Sequence, residues 1–291
     1  MYRPFARLIA LLAPVLLALL AIGTPAHADP PPVSLRVASY NIRYGAGMDG
    51  VFDLDRIASA IDELDADIVG LQEVDVHWGA RSNHLDVAQE IADRTGMRVV
   101  FAPIYDVPSA TPGAPNRQFG VAVLSRYPIV EFINHDLTRL STQEANPTPT
   151  PAPGFAEAVI EAQGARLHVY STHLDYRGDP TVRRLQVADT LAVLAQKRAG
   201  ATQILLGDLN APATAPEIMP LWDHLTSATE INTEPTFPAG RPTSRIDHIG
   251  VTSQVTIVGA TVPNTTLAAS ASDHRPLVAD LLVPRGQSLA H

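Results

Sequence analysis

QILLGDLNAP (203–212) is the stretch whose reading decides the architecture. Ile204, Leu205 and Leu206 form an apolar run of strand length, and Gly207-Asp208-Leu209-Asn210 follows at once, placing a carboxylate and an amide at the strand's end. Strand ends are where an α/β protein exposes polar groups to a ligand. Working outward, the same construction recurs along the chain. The strand candidate Leu35–Tyr40 delivers Asn41, and Ile68–Leu71 delivers Gln72-Glu73. Leu167–Thr172 delivers His173, with Asp175 two residues on; Arg245-Ile246 leads into Asp247-His248, and Ser272-Asp273-His274 precedes the last strand.

Further Val- and Ile-rich runs at Arg98–Phe101, Gly120–Ser125, Ala156–Glu161, Thr256–Val262 and Leu277–Val283 read as strands. Helical spacing marks Leu54–Leu64, Asn83–Thr95 and Thr181–Arg198. Two proline-rich stretches, Pro103–Pro115 and Ser141–Gly154, read as extended surface loops, since the strand pattern resumes beyond each. No internal repeat is present. The pattern predicts one α/β domain with buried sheets and helices outside.

Taken singly, each polar group has a plain structural reading. Asn41 and Asn210 suit turns, Asp208 and Asp273 suit caps, His173 suits a hydrogen-bonded core, and Glu73 suits a solvated strand end. Together they form an acid-rich set that suits phosphoryl transfer to water. That reaction needs a cation on the phosphate oxygens, an oriented water and stabilisation of developing charge. Hard oxygen donors from Glu, Asp and Asn suit Mg²⁺, with Mn²⁺ as a substitute. Histidines beside carboxylates serve as phosphate clamps or acid–base groups.

The series YNIRYG (40–45), LQEVD (71–75), FGVAVLSRYPI (119–129), STHLD (171–175), LLGDLNAP (205–212), RIDHIGV (245–251) and SDHRPLVADL (272–281) resembles the endonuclease/exonuclease/phosphatase superfamily. The motifs run in family order from about Leu35 to Val283. The resemblance implies a four-layer α/β sandwich, with two mixed β-sheets face to face, helices outside and the site at one edge. It implies a metal group of Asn41, Glu73 and Asp273, and a catalytic group of His173, Asp208, Asn210, Asp247 and His274. In that reading Asp208 orients or deprotonates the water, Asn210 donates to the phosphate, His173 holds a non-bridging oxygen, and Asp247 orients His274. Either Asp208 or the His274–Asp247 pair serves as the base. The family's partner acid for the first histidine has no counterpart in the motifs, and Phe119 stands where a Tyr would donate a hydrogen bond. Arg43, Arg117 and Arg177 lie in or beside motif loops and are candidate phosphate contacts, or else solvated surface arginines. Asp75, His77, Trp78, Arg81 and His84 form a polar, aromatic loop straight after Glu73, a placement suited to substrate selection.

Residues 1–28 read as a signal peptide. Arg3 and Arg7 precede an apolar run from Leu8 to Ile22, and Ala26-His27-Ala28 is a small-x-small cleavage pattern. Pro14 interrupts the run, which falls short of the ~20 residues of a spanning helix. Residues 29–291 are then the single catalytic domain of an exported protein with no further transmembrane segment. Cleavage takes the formal charge from −9 to −11, giving no general attraction to nucleic acid or anionic lipid. The chain has no cysteine, so its stability rests on a core rather than disulfides. These features favour a small or lipid-derived phosphodiester as substrate. An extracellular DNA or RNA endonuclease is the alternative, and a non-catalytic phospholigand-binding protein is the reading from another class. No stable protein partner is implied.

Overall fold

Two parallel strand pairs organise the molecule. The computed structural model describes residues 30–286; the predicted signal peptide lies outside them. In the first sheet β1 (Val33–Asn41) runs parallel to β2 (Ile68–Val76), which is flanked by β4 (Arg117–Ser125) and the edge strand β3 (Arg98–Val107). On the other side of β1 lie β12 (Leu277–Val283) and β11 (Thr256–Thr261). In the second sheet β7 (Ala165–His173) runs parallel to β8 (Thr202–Asp208). Outward from β7 come β6 (Thr150–Ala162) and the edge strand β5 (Ile129–Arg139). Outward from β8 come β10 (Asp247–Val251) and the two-residue β9 (Thr226–Ser227). All other pairings are antiparallel, so both six-stranded sheets are mixed.

Each parallel pair needs a crossover, and a helix supplies it. Helix α1 (Leu54–Glu63), capped by Asp53, joins β1 to β2, and α3 (Thr181–Leu194) joins β7 to β8. With α2 (Val87–Thr95), α1 buries Ile57, Ile61 and Ile91 against the outer face of the first sheet. Helix α3 and the short α4 (Met219–Trp222) cover Phe155, Tyr170 and Leu205 on the second. Between the sheets a third core holds Val37, Val123, Ile160, Leu206, Ile249 and Leu281. Alternation along each strand sends successive side chains to these two faces. The result is a four-layer α/β sandwich.

Polar groups interrupt the second sheet's outer face at one place. Glu157 is fully buried there, and its carboxylate accepts from His135 Nε2 at 2.6 Å, His168 Nδ1 at 2.7 Å and Lys197 Nζ at 2.6 Å.

Four expectations need correction. The stretch Ile129–Arg139, not recognised as a strand, is β5. Thr150–Gly154, read as the end of a loop, begins β6; its ladder with β7 starts only at Ala156↔Ser171, so one side carries no pairing there, which is where prolines such as Pro151 and Pro153 are tolerated. Pro103 likewise sits in the edge strand β3. The second helix starts at Val87 rather than Asn83, because Asn83 and His84 adopt left-handed backbone (φ 53° and 55°) and Asp86 caps the helix by accepting from Gln89 N.

Candidate active site

Parallel pairing sends the C-terminal ends of β1, β2, β7 and β8 to one edge of the sandwich, carrying Asn41, Glu73, His173 and Asp208. The antiparallel neighbours begin where these strands end. Asp247, first residue of β10, sits opposite Asp208, and Asp273 and His274 lead into β12 beside β1. Seven of the expected site residues therefore come from both sheets to a single rim.

The side chains form one connected network. Asn41 Nδ2 donates to Glu73 Oε1 at 3.2 Å and to Asp208 Oδ2 at 3.1 Å, while its Oδ1 accepts from Arg43 N at 3.0 Å. Asn41 is fully buried and spans the two sheets, an arrangement that fixes the two carboxylates. Asp208 Oδ2 also lies 3.5 Å from His173 Nε2 and 3.7 Å from His274 Nε2, and its Oδ1 accepts from Asn210 N at 2.9 Å. His274 Nδ1 is 2.9 Å from Asp247 Oδ2. Ser272 Oγ donates to Asn41 O at 2.7 Å and so ties the loop before β12 to the end of β1.

Local backbone choices aim these groups. Glu73 sits in a β-bulge, where the β2–β4 register shifts between Leu71 and Val74, and its φ of 56° is left-handed. That conformation is costly for a residue with a Cβ, and it turns the carboxylate out of the sheet towards the rim. Asn210 (φ 52°) and Arg43 (φ 44°) are left-handed too. Gly207 allows β8 to lie close against β7 behind the site: a Cβ there would meet Thr172 Cγ2 at 2.6 Å and Thr172 O at 2.7 Å.

Electrostatics separate the histidines. Burial alone would disfavour a charged His274, but Asp247 and Asp208, with Asp273 behind, outweigh it and push its pKa up to about 10. His274 therefore carries its proton at neutral pH. His248, next to Asp247, is the opposite case. Burial pushes it down to about 4, against its hydrogen bond to Ala211 O at 2.9 Å, so it is a neutral core residue.

The remaining candidates are placed differently. Asn210 Nδ2 donates to Leu174 O at 3.0 Å, which braces the loop after β8. Arg43 lies 3.7 Å from Asp273 Oδ2 and also donates to Gly47 O. Arg177 is ion-paired with Asp175 and donates to Leu140 O, while Arg117 sits over the Trp78 ring at 5.7 Å. Arg139 was missed along with β5; it donates to Pro153 O, Gly154 O and His173 O, holding β7's end in place. Among the described residues one triplet has ligand atoms within 4.8 Å of one another, Asp208, Asp247 and His274. Two of its members already hydrogen-bond each other, so it behaves as a proton-bearing pair beside a carboxylate. Outside that triplet, Glu73, whose Oε1 accepts from Asn41, and Asp273 are the rim carboxylates that offer hard oxygen donors.

Comparison with known proteins agrees with this geometry. The profile described as "Endonuclease/Exonuclease/phosphatase family" matches residues 38–274. The Escherichia coli K12 protein YbhP is 26% identical over 255 residues, covering 85% of this chain and 96% of YbhP. An endonuclease/exonuclease/phosphatase from Beutenbergia cavernae has a TM-score of 0.67 at 24% identity, covering 86% of this chain and 72% of its own. The Bacteroides thetaiotaomicron mannosyl-6-phosphatase has a TM-score of 0.64 at 21% identity, covering 85% and 99%. At these identities the two structures show a shared fold.

Proposed function

The chain belongs to the endonuclease/exonuclease/phosphatase family, whose members are phosphoester hydrolases, and on that premise we propose that it is an exported, Mg²⁺-dependent hydrolase of small phosphoesters. The observation that carries this reading is the convergence on Asp208. One of its oxygens faces His173 and His274 and is joined through Asn41 to Glu73. Glu73 and Asp273 would hold the cation, with Asn41 fixing the Glu73 carboxylate. A bound Mg²⁺ supplies positive charge for the phosphate's non-bridging oxygens. Asp208 orients the attacking water and accepts its proton as the new P–O bond forms. His274, kept protonated by Asp247, gives a proton to the departing alkoxide as the old P–O bond breaks. His173 donates to a non-bridging oxygen. The raised pKa of His274 makes Asp208 the better base of the two candidates.

Size and charge favour small substrates. Of the candidate phosphate contacts, Arg177 is committed to Asp175. Among the described residues no helix is long and apolar enough to cross a membrane. The signal-like residues 1–28 support export. The test is hydrolysis by the protein from Asp29 onward of bis-p-nitrophenyl phosphate, sugar and nucleoside monophosphates, plasmid DNA, RNA and phospholipid vesicles. Each is run with Mg²⁺, with Mn²⁺ and with excess chelator. Metal-dependent turnover of the small esters above the polymers is expected. Preferential cleavage of DNA or RNA would replace this reading with the nuclease one, and metal-independent turnover would refute the cation assignment. An N-terminus at Asp29 in secreted protein checks the export step.

A further inference from the structure

Beside Glu73 and His173 opens a cavity of about 230 Å³, below the ~300–1,000 Å³ of pockets for drug-sized ligands and so suited to a single ring system. Its wall comes from the loop after β2, the end of β3, the start of β4, the end of β5 and the loop after β7. Tyr105 and Phe119 line it, and Trp78 packs against both with ring centroids 5.8–6.4 Å apart, lining with them an adjoining recess that opens beside Arg81 and Thr142. All three rings remain part-exposed. Arg81 fixes the group: it lies 5.5 Å over Phe119 and 5.8 Å over Trp78, and is held by a two-point hydrogen bond to the fully buried Asp75 at 2.7 and 2.8 Å. Ser82 Oγ donates to the same carboxylate at 2.8 Å. A rigid, buried anchor beneath an exposed aromatic group is the construction expected of a preorganised binding wall rather than of a core.

The polar groups around the cavity decide what ring it takes. A polyol ring needs several free donors and acceptors aimed at its hydroxyls. Here most of them are committed: Arg139 to three backbone carbonyls, Asp175 to Arg177, and Gln186 Oε1 to Asp175 N at 2.8 Å. Tyr105 OH and Thr142 Oγ1 bond each other at 3.0 Å. What stays available is mainly ring face, including the exposed Tyr176, and the apolar side chains of Ile104 and Leu140. Such a surface holds a flat, weakly polar π-system by stacking and burial. We propose that this cavity and the adjoining recess together form a specificity pocket for a planar aromatic group on the substrate, seated on Phe119 and Trp78 while the phosphate lies at Glu73 and His173. The inference rests on the hydrolase reading and narrows it to small phosphoesters that carry a flat ring, of which a nucleobase is one source and a simple aryl group another.

The substrate pair adenosine 5′-monophosphate and ribose 5-phosphate, with their methyl diesters, shares one leaving group with and without the base. Benzyl and ethyl phosphates form the aryl pair. For the wild type, kcat/KM should favour the ring-bearing member of at least one pair, mainly through KM. Trp78→Ala should reduce that preference by about tenfold or more, the effect of losing one stacked ring. Preference in the adenosine pair alone identifies a nucleobase pocket; preference in both identifies a general aryl one. A binding arm needs no turnover. Trp78 and Trp222 are the chain's two tryptophans, so Trp222→Phe isolates Trp78. In chelator its emission should be quenched saturably by adenosine 5′-monophosphate or benzyl phosphate, at concentrations where ribose 5-phosphate has no effect. Equal preference within both pairs, or quenching that ignores the ring, overturns the pocket assignment. Absence of hydrolysis of every ester, with ring-selective quenching intact, overturns the hydrolase reading and keeps the pocket.

Discussion

Glu157→Gln should have a large consequence for stability. The change keeps the side chain's volume but removes the one negative charge that Lys197, His135 and His168 share inside the protein. The wild-type carboxylate is acceptor-only and receives three short donors. The variant's NH₂ group turns a donor towards donors and leaves Lys197 without its counter-ion. Removing one partner of a buried ion pair costs about 3–5 kcal/mol, since the abandoned charge is stranded. At roughly 2–4 °C per kcal/mol for a domain near this size, Tm should fall by about 10 °C. Acid dependence gives a second reading. Burial alone would raise the Glu157 pKa, but the three donors outweigh it and hold it well below the usual carboxylate range. The unfolded chain, with an ordinary Glu at about 4.3, then binds the proton first. That stability contribution is present above about pH 4.3 and is lost as pH falls towards the native pKa; the variant should lose this part of the acid limb. Urea unfolding at pH 7 and through pH 5–3 measures both. A variant within about 1 kcal/mol of wild type at pH 7 would refute the reasoning, because Lys197 would then be solvated without Glu157.

Other consequences are as direct. Glu73→Gln should abolish Mg²⁺-dependent turnover while the metal-free Tm stays within a few degrees; substantial activity at saturating Mg²⁺ would refute its role as a ligand. Chelator should silence the wild type without unfolding it, since the strands around the site are already packed; circular dichroism during chelation checks this. His173→Ala and His274→Ala should each lower kcat by about 10²–10⁴-fold, and mild effects from both would mean that these histidines are structural. His248, neutral in the core with a pKa near 4, should cost stability as pH falls from about 6.5 to 4, because the unfolded chain protonates first. The loss is at most about 3 kcal/mol, and His248→Asn should flatten that part of the urea-derived profile.

The strands that build the site were legible because each couples a buried Val- or Ile-rich run to an abrupt polar end, as in β8 before Asp208 or β2 before Glu73. Edge structure was only half so: β3 and β11 carried readable runs, whereas β5 and the two-residue β9 did not. Strand β5 exposes Val130, Phe132 and Ile133 alongside Glu131 and Asp136, so alternation between faces is weak and no hydrophobic period marks it. Arg139, at its end, was lost with it. Prolines at Pro103, Pro151 and Pro153 signal turns by composition, and only the pairing pattern shows that they occupy unpaired strand sides. The candidate residues were readable by type, but not their wiring. Nothing in the spacing of Asn41 and Asp208, 167 positions apart, marks Asn41 as the bridge between two carboxylates, or Arg177 as already neutralised by Asp175.

The Asn41–Asp208 hydrogen bond runs from one sheet to the other, and so does the short path from Ser272 and Asp273 at β12 to Asp247 at β10 through His274. Neither half of the sandwich contains a working set of groups, so catalytic competence is a property of the seam. During refolding, circular dichroism can recover as each sheet forms, but turnover must wait until the halves close in register. The enzyme's own activity thus serves as a clock for the last step of assembly. Conversely, a ligand gripping both sides of the rim acts as a clasp, raising resistance to the separation of the sheets even though it touches only their edge.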